Sequence, residues 1–265
     1  MEKDIYDFWI DKASINDSSE LDSLCKVLDP RDVKGVKNSY LDFYLKYYLQ
    51  QHLCPRKEDT LLEVGCGIGR LTEYMSSFSR TVYGIDLVDQ FIDQCKCNPN
   101  KNDNTFYLKA CDLENLKYVT INKMYIVWVL MYLTSAPELI NTLRGYREIL
   151  PHLKRFVVLE QVKRNFQVEK HQGKVYCCYR TVEEYKAIFH AAGFKVSNYS
   201  ILGERNRGLA YNSIRLTCNV LPRYLARWSN KLFYFDKYLM GNAAKNIRLI
   251  NDRRPTDVAF VLEVA

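Results

Sequence analysis

Short apolar runs bounded by turn residues alternate along this chain with segments whose apolar positions recur every three or four residues. Alternating strands and helices of this kind build an α/β sheet. Leu61, Leu62 and Val64 read as the end of a buried strand, Gly65, Gly67 and Gly69 as a tight turn, and residues 70–78 as a helix. Further strands are predicted at 81–86, 105–110, 124–130, 155–162, 194–202 and 256–264, with helices at 87–95, from Ser135 to about 150, and from Thr181 to near Gly193. Ser135 with Glu138, and Thr181 with Glu184, have the spacing of capping boxes. The stretch RFVVLEQV at 155–162 is apolar almost throughout, as a parallel strand covered on both faces requires. The pattern predicts one doubly wound α/β domain.

Two segments lie outside that alternation. Residues 34–53 carry Tyr40, Tyr44, Tyr47 and Tyr48 with Leu41, Leu45 and Leu49 at helical spacing, most of them expected to pack. Before them, the acidic residues 1–32 hold an aromatic cluster, Tyr6, Phe8 and Trp9, able to anchor the N-terminus on the core. Residues 1–54 therefore read as a helical extension and 55–265 as the main domain, with 203–255 inserted between the last two strands. Residues 163–179 read as a loop containing His171 and the alternating piece VYCCY.

Charge sharpens the picture of the insertion. The net charge is +7, yet residues 204–255 hold eleven Lys or Arg against three acids, leaving the remainder close to neutral. Leu221, Leu225, Trp228, Leu232, Phe235 and Leu239 are expected on one helix face, with Arg223, Arg227 and Lys231 stepping along another. Such a helix suits peripheral membrane contact through 221–240, an anionic substrate, or docking on its own domain.

Nine cysteines, without C-x-x-C or Cys/His metal spacing, read as reduced, mostly packed thiols, and no metal site is expected. No apolar run approaches the length of a spanning helix, and the acidic start lacks the features of a signal peptide. A cytoplasmic site of action is expected.

The glycine turn carries the chemistry. Glycines let a ligand approach the backbone closely, while free N–H groups of the following helix face the same spot. A dinucleotide site calls for G-x-G-x-x-G, whereas residues 65–69 read G-x-G-x-G, preceded by Glu63 and followed by Asp86 at the end of the second strand. This combination resembles motif I and the acidic loop of class I S-adenosylmethionine (SAM) methyltransferases, which implies a Rossmann-like seven-stranded sheet and SAM as cofactor. The resemblance implies that Glu63, Gly65, Gly67, Gly69, Asp86 and Leu87 form the cradle, with Asp86 taking the ribose hydroxyls. It implies the adenine amine for Asp112, beside Leu113, and adds Val127 and Trp128 at the end of the fourth strand. Arg70, in the first turn of a helix, is disfavoured by the helix dipole unless an anion lies nearby, and the SAM carboxylate would be one. In this family a segment before the first strand often folds over the ligands, so Tyr6, Phe8 and Trp9 are also a candidate lid.

The run WVLMYLT at 128–134, with GIGRLT upstream, is most similar to the branch that includes protein α-N-terminal methyltransferases. The likeness covers roughly residues 61–150 and departs where the acceptor is decided. That branch's Gln, His and Asp-Asn pair align with Val127, Tyr132 and Glu160-Gln161. Cofactor binding is therefore carried over and peptide specificity is not. The catalytic candidates are Glu160 at a strand end, His171 in a loop, and Tyr132 as a group that orients the acceptor. The expected function is methyl transfer to oxygen or nitrogen of a small molecule, sugar or glycan, with a phosphorylated or lipid-linked acceptor suiting the basic insertion. The alternatives are a protein N-terminal methyltransferase and a non-catalytic SAM-binding partner subunit. No N-P-P-Y tetrapeptide is present, which argues against a nucleic-acid methylase.

Overall fold

The computed structural model describes residues 3–15, 19–29, 31–171, 174–240 and 250–265. Its elements in chain order are α1 (Lys3–Ala13), α2 (Glu20–Val27), α3 (Val36–Leu53), β1 (Thr60–Val64), α4 (Arg70–Ser76), β2 (Thr81–Asp86), α5 (Asp89–Cys97) and β3 (Thr105–Lys109). There follow β4 (Lys123–Val127), α6 (Ala136–Ile149), β5 (Arg155–Val162), β6 (Gln167–His171), β7 (Lys174–Tyr179), α7 (Val182–Ala191) and β8 (Phe194–Leu202). The insertion contributes α8 (Glu204–Arg207), α9 (Leu209–Thr217) and α10 (Ser229–Met240), and β9 (Thr256–Val264) closes the sheet.

The main sheet has the order β3-β2-β1-β4-β5-β9-β8, with β9 antiparallel to both neighbours and the other pairings parallel. Strand order reverses between β1 and β4, and the carboxyl ends on either side of that point form the crevice where doubly wound sheets bind ligands. This is the Rossmann-like seven-stranded fold expected above, with a helical N-terminus and a helical insertion before the last strand.

Alternation along the strands divides the core in two. Leu62, Val64, Met124, Ile126, Phe156 and Val158 face α6 and α7, whereas Leu61, Tyr125, Val157 and Leu159 face α3, α9 and α10. On the first side Thr181 and Glu184 form the full capping box expected of α7, and the Ser135 hydroxyl accepts from the Glu138 N–H at the start of α6. All nine cysteines are free thiols.

Two segments take a different form from the sequence reading. Residues 163–179 form an antiparallel hairpin, β6 paired with β7, rather than a plain loop, because the alternation in VYCCY is a strand's. The insertion's helix is interrupted: Pro222 opens a 3-10 turn, Arg223–Trp228, before α10. The change of periodicity splits the six apolar residues expected on one face, so Leu221, Leu225 and Leu232 pack inward. Phe233 is buried in their company, while Trp228, Phe235 and Leu239 are turned outward.

Candidate active site

The glycine turn leaves β1 with Gly65, Gly67 and Gly69 at φ of 74°, 53° and 78°, a left-handed backbone that side chains disfavour. A Cβ at Gly65 would collide with Val129, and one at Gly69 with the hydroxyl of Tyr107. The N–H groups of Gly65 and Cys66 donate to the Ile85 carbonyl at 2.8 and 3.0 Å, tying the turn to β2. Asp86, the last residue of β2, accepts from the N–H of Gly67 (2.8 Å) and of Val88 (2.9 Å). Burial raises its pKa, and these donors oppose the rise. The turn and its acid are thus one rigid unit. Leu87 follows it, half exposed.

Glu63 lies beneath the turn. One of its oxygens accepts from the hydroxyls of Thr72 (2.5 Å) and Tyr125 (3.1 Å), and burial pushes its pKa up to about 7. It braces β1 against α4 and β4. Arg70 pairs with Asp42 of α3 at 2.8 Å, so the anion beside the first turn of α4 is a side chain of the N-terminal extension. Asp112 and Leu113 sit in the 3-10 segment Ala110–Tyr118 that follows β3, with Leu113 against the core.

Beyond β4 the chain bends at Trp128, whose φ of 56° is rare for a side-chain-bearing residue. This is why the strand expected through residue 130 stops at Val127. The bend is held from several directions. Glu160, fully buried at the carboxyl end of β5, accepts with Oε1 from the N–H groups of Val129 (2.7 Å) and Leu130 (2.6 Å). Arg180, 2% exposed, donates to the carbonyls of Leu130 (3.3 Å), Leu133 (2.6 Å) and Thr134 (3.0 Å). The Trp128 indole donates to Asp257 at 3.0 Å, and the Arg205 guanidinium lies 4.9 Å from its ring. Glu160 Oε2 has no hydrogen-bond partner among the described residues, and burial pushes the pKa of this carboxyl up to about 8.

Over this edge lies an aromatic enclosure. Trp9 of α1 meets Tyr132 edge-on at 5.3 Å and Phe91 of α5 at 6.5 Å, while Phe8 meets Tyr176 of β7 at 5.0 Å. The hydroxyls of Tyr132 and Tyr176 are 3.3 Å apart. Tyr6, Trp9, Ile10, Val27 and Ile68 pack on Ala13, Val88 and Phe91, so α1 and α2 cross the mouth of the glycine turn.

The expected site residues thus gather along one edge of the sheet: Glu63 and the glycines at β1, Asp86 and Leu87 at β2, Asp112 and Leu113 beyond β3, Val127 at the end of β4 with Trp128 and Tyr132 beyond it, and Glu160 on β5. His171 ends β6, and its side chain lies outside the described residues. Arg180, Asp257, Tyr176 and Phe91 belong to the same edge and were missed. Arg180 had a signal, a lone cation between the apolar VYCCY and a helix cap. Asp257 had none.

These residues fit the adenosyl half of SAM. The turn is a cradle that a Cβ would fill, and a carboxylate fixed at its rim stands beside an apolar wall.

Residues 61–153 match the family model described as "Methyltransferase domain". Among curated proteins the chain is similar to an S-adenosyl-L-methionine-dependent Diels-Alderase, iccD, of Talaromyces variabilis, 24% identical over 114 residues. That match covers 42% of this chain and 39% of the relative, so the chain aligns with about two fifths of its relative's length. Among solved structures it is similar to a geranyl diphosphate C-methyltransferase of Streptomyces coelicolor A3(2), with a TM-score of 0.61, 17% identity, and 99% of this chain and 98% of that one covered. It is also similar to a SAM-dependent methyltransferase of Leishmania major, with a TM-score of 0.55, 14% identity, and coverage of 96% and 83%. Residues 61–153 thus carry a methyltransferase domain, within a chain whose fold is similar to that of SAM-dependent methyltransferases of known structure.

Proposed function

We propose that this chain binds SAM and transfers a methyl group to an oxygen or nitrogen of a small molecule, sugar or glycan enclosed beneath α1. The observation that carries the reading is the rigid unit of Asp86 and the glycine turn. In this reading Asp86 takes the ribose hydroxyls, Asp112 with Leu113 meets the adenine, and Gly65, Gly67 and Gly69 admit the ligand to the backbone. Leu87, Val127 and Trp128 would lie against the bound cofactor. Bound SAM supplies an electrophilic methyl group, and the protein's part is to hold an acceptor in line and keep water out.

The rings of Trp9, Tyr132 and Tyr176 support an enclosed acceptor, with the Tyr132 hydroxyl orienting it. Glu160 is the candidate to receive the acceptor's proton: it has a free oxygen, and its pKa of about 8 lies near the range where a carboxylate is an effective base. His171 is kept as a second candidate. The similarity to a geranyl diphosphate C-methyltransferase supports small-molecule acceptors and brings carbon acceptors into any screen. Free thiols throughout the chain suit a reducing compartment, and we read the site of action as cytoplasmic.

The test is a calorimetric titration with SAM, S-adenosylhomocysteine and NAD. The wild type is expected to bind the first two and not the third, with Asp86→Ala weakening both by about ten-fold or more, as the loss of a charged hydrogen-bonding group would. Binding of NAD alone, or unchanged SAM affinity in the variant, would overturn the reading.

A further inference from the structure

The insertion presents a surface that the proposed chemistry does not use. Across the 3-10 turn and α10, Tyr224, Trp228, Lys231, Phe235 and Tyr238 follow one another at intervals of four, three, four and three residues. Lys231, Phe235 and Tyr238 share one face of α10 at helical pitch, and Trp228, closing the 3-10 turn, meets that face through the Lys231 ammonium. All five are exposed: Tyr238 by 86%, Tyr224 by 59%, Phe235 by 51%, Trp228 by 43%, and Lys231 with them. The opposite side of α10 is given to the core through Ser229, Phe233 and Asp236. Soluble surfaces seldom carry so many large apolar side chains in one line.

The charges on this surface have one sign. Between residues 204 and 240 there are seven cations and two acids, Glu204 and Asp236. Both acids are withdrawn: Glu204 is 1% exposed and Asp236 fully buried. The Tyr48 hydroxyl donates to Glu204, and the Tyr40 hydroxyl (2.8 Å) and the N–H groups of Ala210 and Tyr211 donate to Asp236. Among the cations, Arg223 is engaged by Asp22 of α2 at 2.7 Å, while Arg227 and Lys231 remain exposed. These two stand beside the aromatic stripe, with the Lys231 ammonium 4.2 Å from the Trp228 ring centroid and the Arg227 guanidinium 5.5 Å from that of Tyr224. Aromatic rings interleaved with lysine and arginine, with acids excluded, match an interface with anionic headgroups above and acyl chains below.

We propose that the stripe Tyr224–Tyr238 is a peripheral membrane-docking surface for anionic lipid bilayers. The rings enter the headgroup boundary while Arg227 and Lys231 hold the phosphates and carboxylates above them. The proposal is independent of methyl transfer, and its test has no catalytic readout.

The full chain is sedimented with vesicles of phosphatidylcholine and phosphatidylserine at three to one, and with phosphatidylcholine alone. Binding to the mixed vesicles is expected to be about ten-fold tighter or more, to weaken with added salt, and to shift Trp228 emission to the blue. Trp228→Ser with Phe235→Ser should abolish it. Arg227→Gln with Lys231→Gln should lower affinity roughly ten-fold or more and flatten the salt dependence. Circular dichroism checks the fold of each. Tyr238→Glu, at the most exposed position, is the second probe should the paired serine variant not fold, and it too should release the protein. Equal binding to both vesicles, no binding, or binding unmoved by these variants would overturn the proposal. So would a wild-type dimer, seen by light scattering, that Tyr238→Glu dissociates without vesicle binding.

Discussion

Two buried carboxyls at the sheet edge face the same electrostatic problem. Glu63 and Glu160 are removed from water, and burial raises them to about 7 and about 8. A carboxyl whose folded pKa exceeds its unfolded value contributes stability that is complete below the unfolded value and is lost as pH climbs through the folded one. For Glu160 the loss runs from about pH 4.5 to about pH 8, at ~1.4 kcal/mol per pH unit while the group is charged only in the unfolded chain. Glu160→Gln keeps an acceptor for the Val129 and Leu130 N–H groups and removes the titration. Its melting temperature should therefore fall less than that of the wild type between pH 6 and pH 8.5. If Glu160 is also the base, the wild-type rate should rise with pH toward 8 and the variant's should not. A parallel fall in melting temperature for both proteins would refute the titration. At this scale the sequence was informative where backbone geometry is local. Glycines at 65, 67 and 69 and an acid closing the next strand leave few arrangements. Asp257 was hidden, and the signal at Arg180 was passed over, because a charge in a sequence is read as solvated until the partners that bury it are known.

Between elements, α3 shows how an aromatic stripe can be more than packing. Tyr40, Tyr44 and Tyr48 are four residues apart on one face, and their hydroxyls donate to Asp236, Asp257 and Glu204. Each turn of the helix thus binds a carboxylate from the insertion or from β9, which joins the N-terminal extension to the far end of the chain. Hydrogen bonds to charged groups contribute more than neutral ones. Tyr40→Phe should accordingly destabilise the fold by about 1.5–3 kcal/mol in urea unfolding. A loss below ~0.5 kcal/mol would mean that the ring alone matters. Helical spacing made α3 legible as an element, but not its polar side, because the acceptors lie more than 150 residues away. The reverse error occurred in the insertion, where a single helical period was extended across a 3-10 turn and six apolar residues were placed on one face that the structure divides between core and surface.

For the whole molecule, the enclosure depends on α1, a helix with only Ile5 and Ala13 buried. Its hold on the sheet edge is largely aromatic, through Phe8 and Trp9. Sparsely buried elements of this kind open at low free energy and respond to ligands. Backbone hydrogen exchange in residues 3–13 should slow when S-adenosylhomocysteine is added, and Trp9→Ala should remove most of that slowing while α3 exchanges as before. Equal protection in both proteins would detach α1 from ligand binding. Asp257 adds a consequence for how such a protein can change over time. This one carboxylate takes the Trp128 indole from the β4 bend, the Tyr44 hydroxyl from the N-terminal extension and the Arg205 guanidinium from the insertion. Three stretches remote in sequence therefore share a single buried counter-charge. Losing any one partner leaves the others beside an anion that is less well balanced, and disrupting such a pair costs about 3–5 kcal/mol. The extension and the insertion are consequently not interchangeable accessories on a standard sheet: an exchange of either with a related protein succeeds only if the newcomer brings its own partner for Asp257.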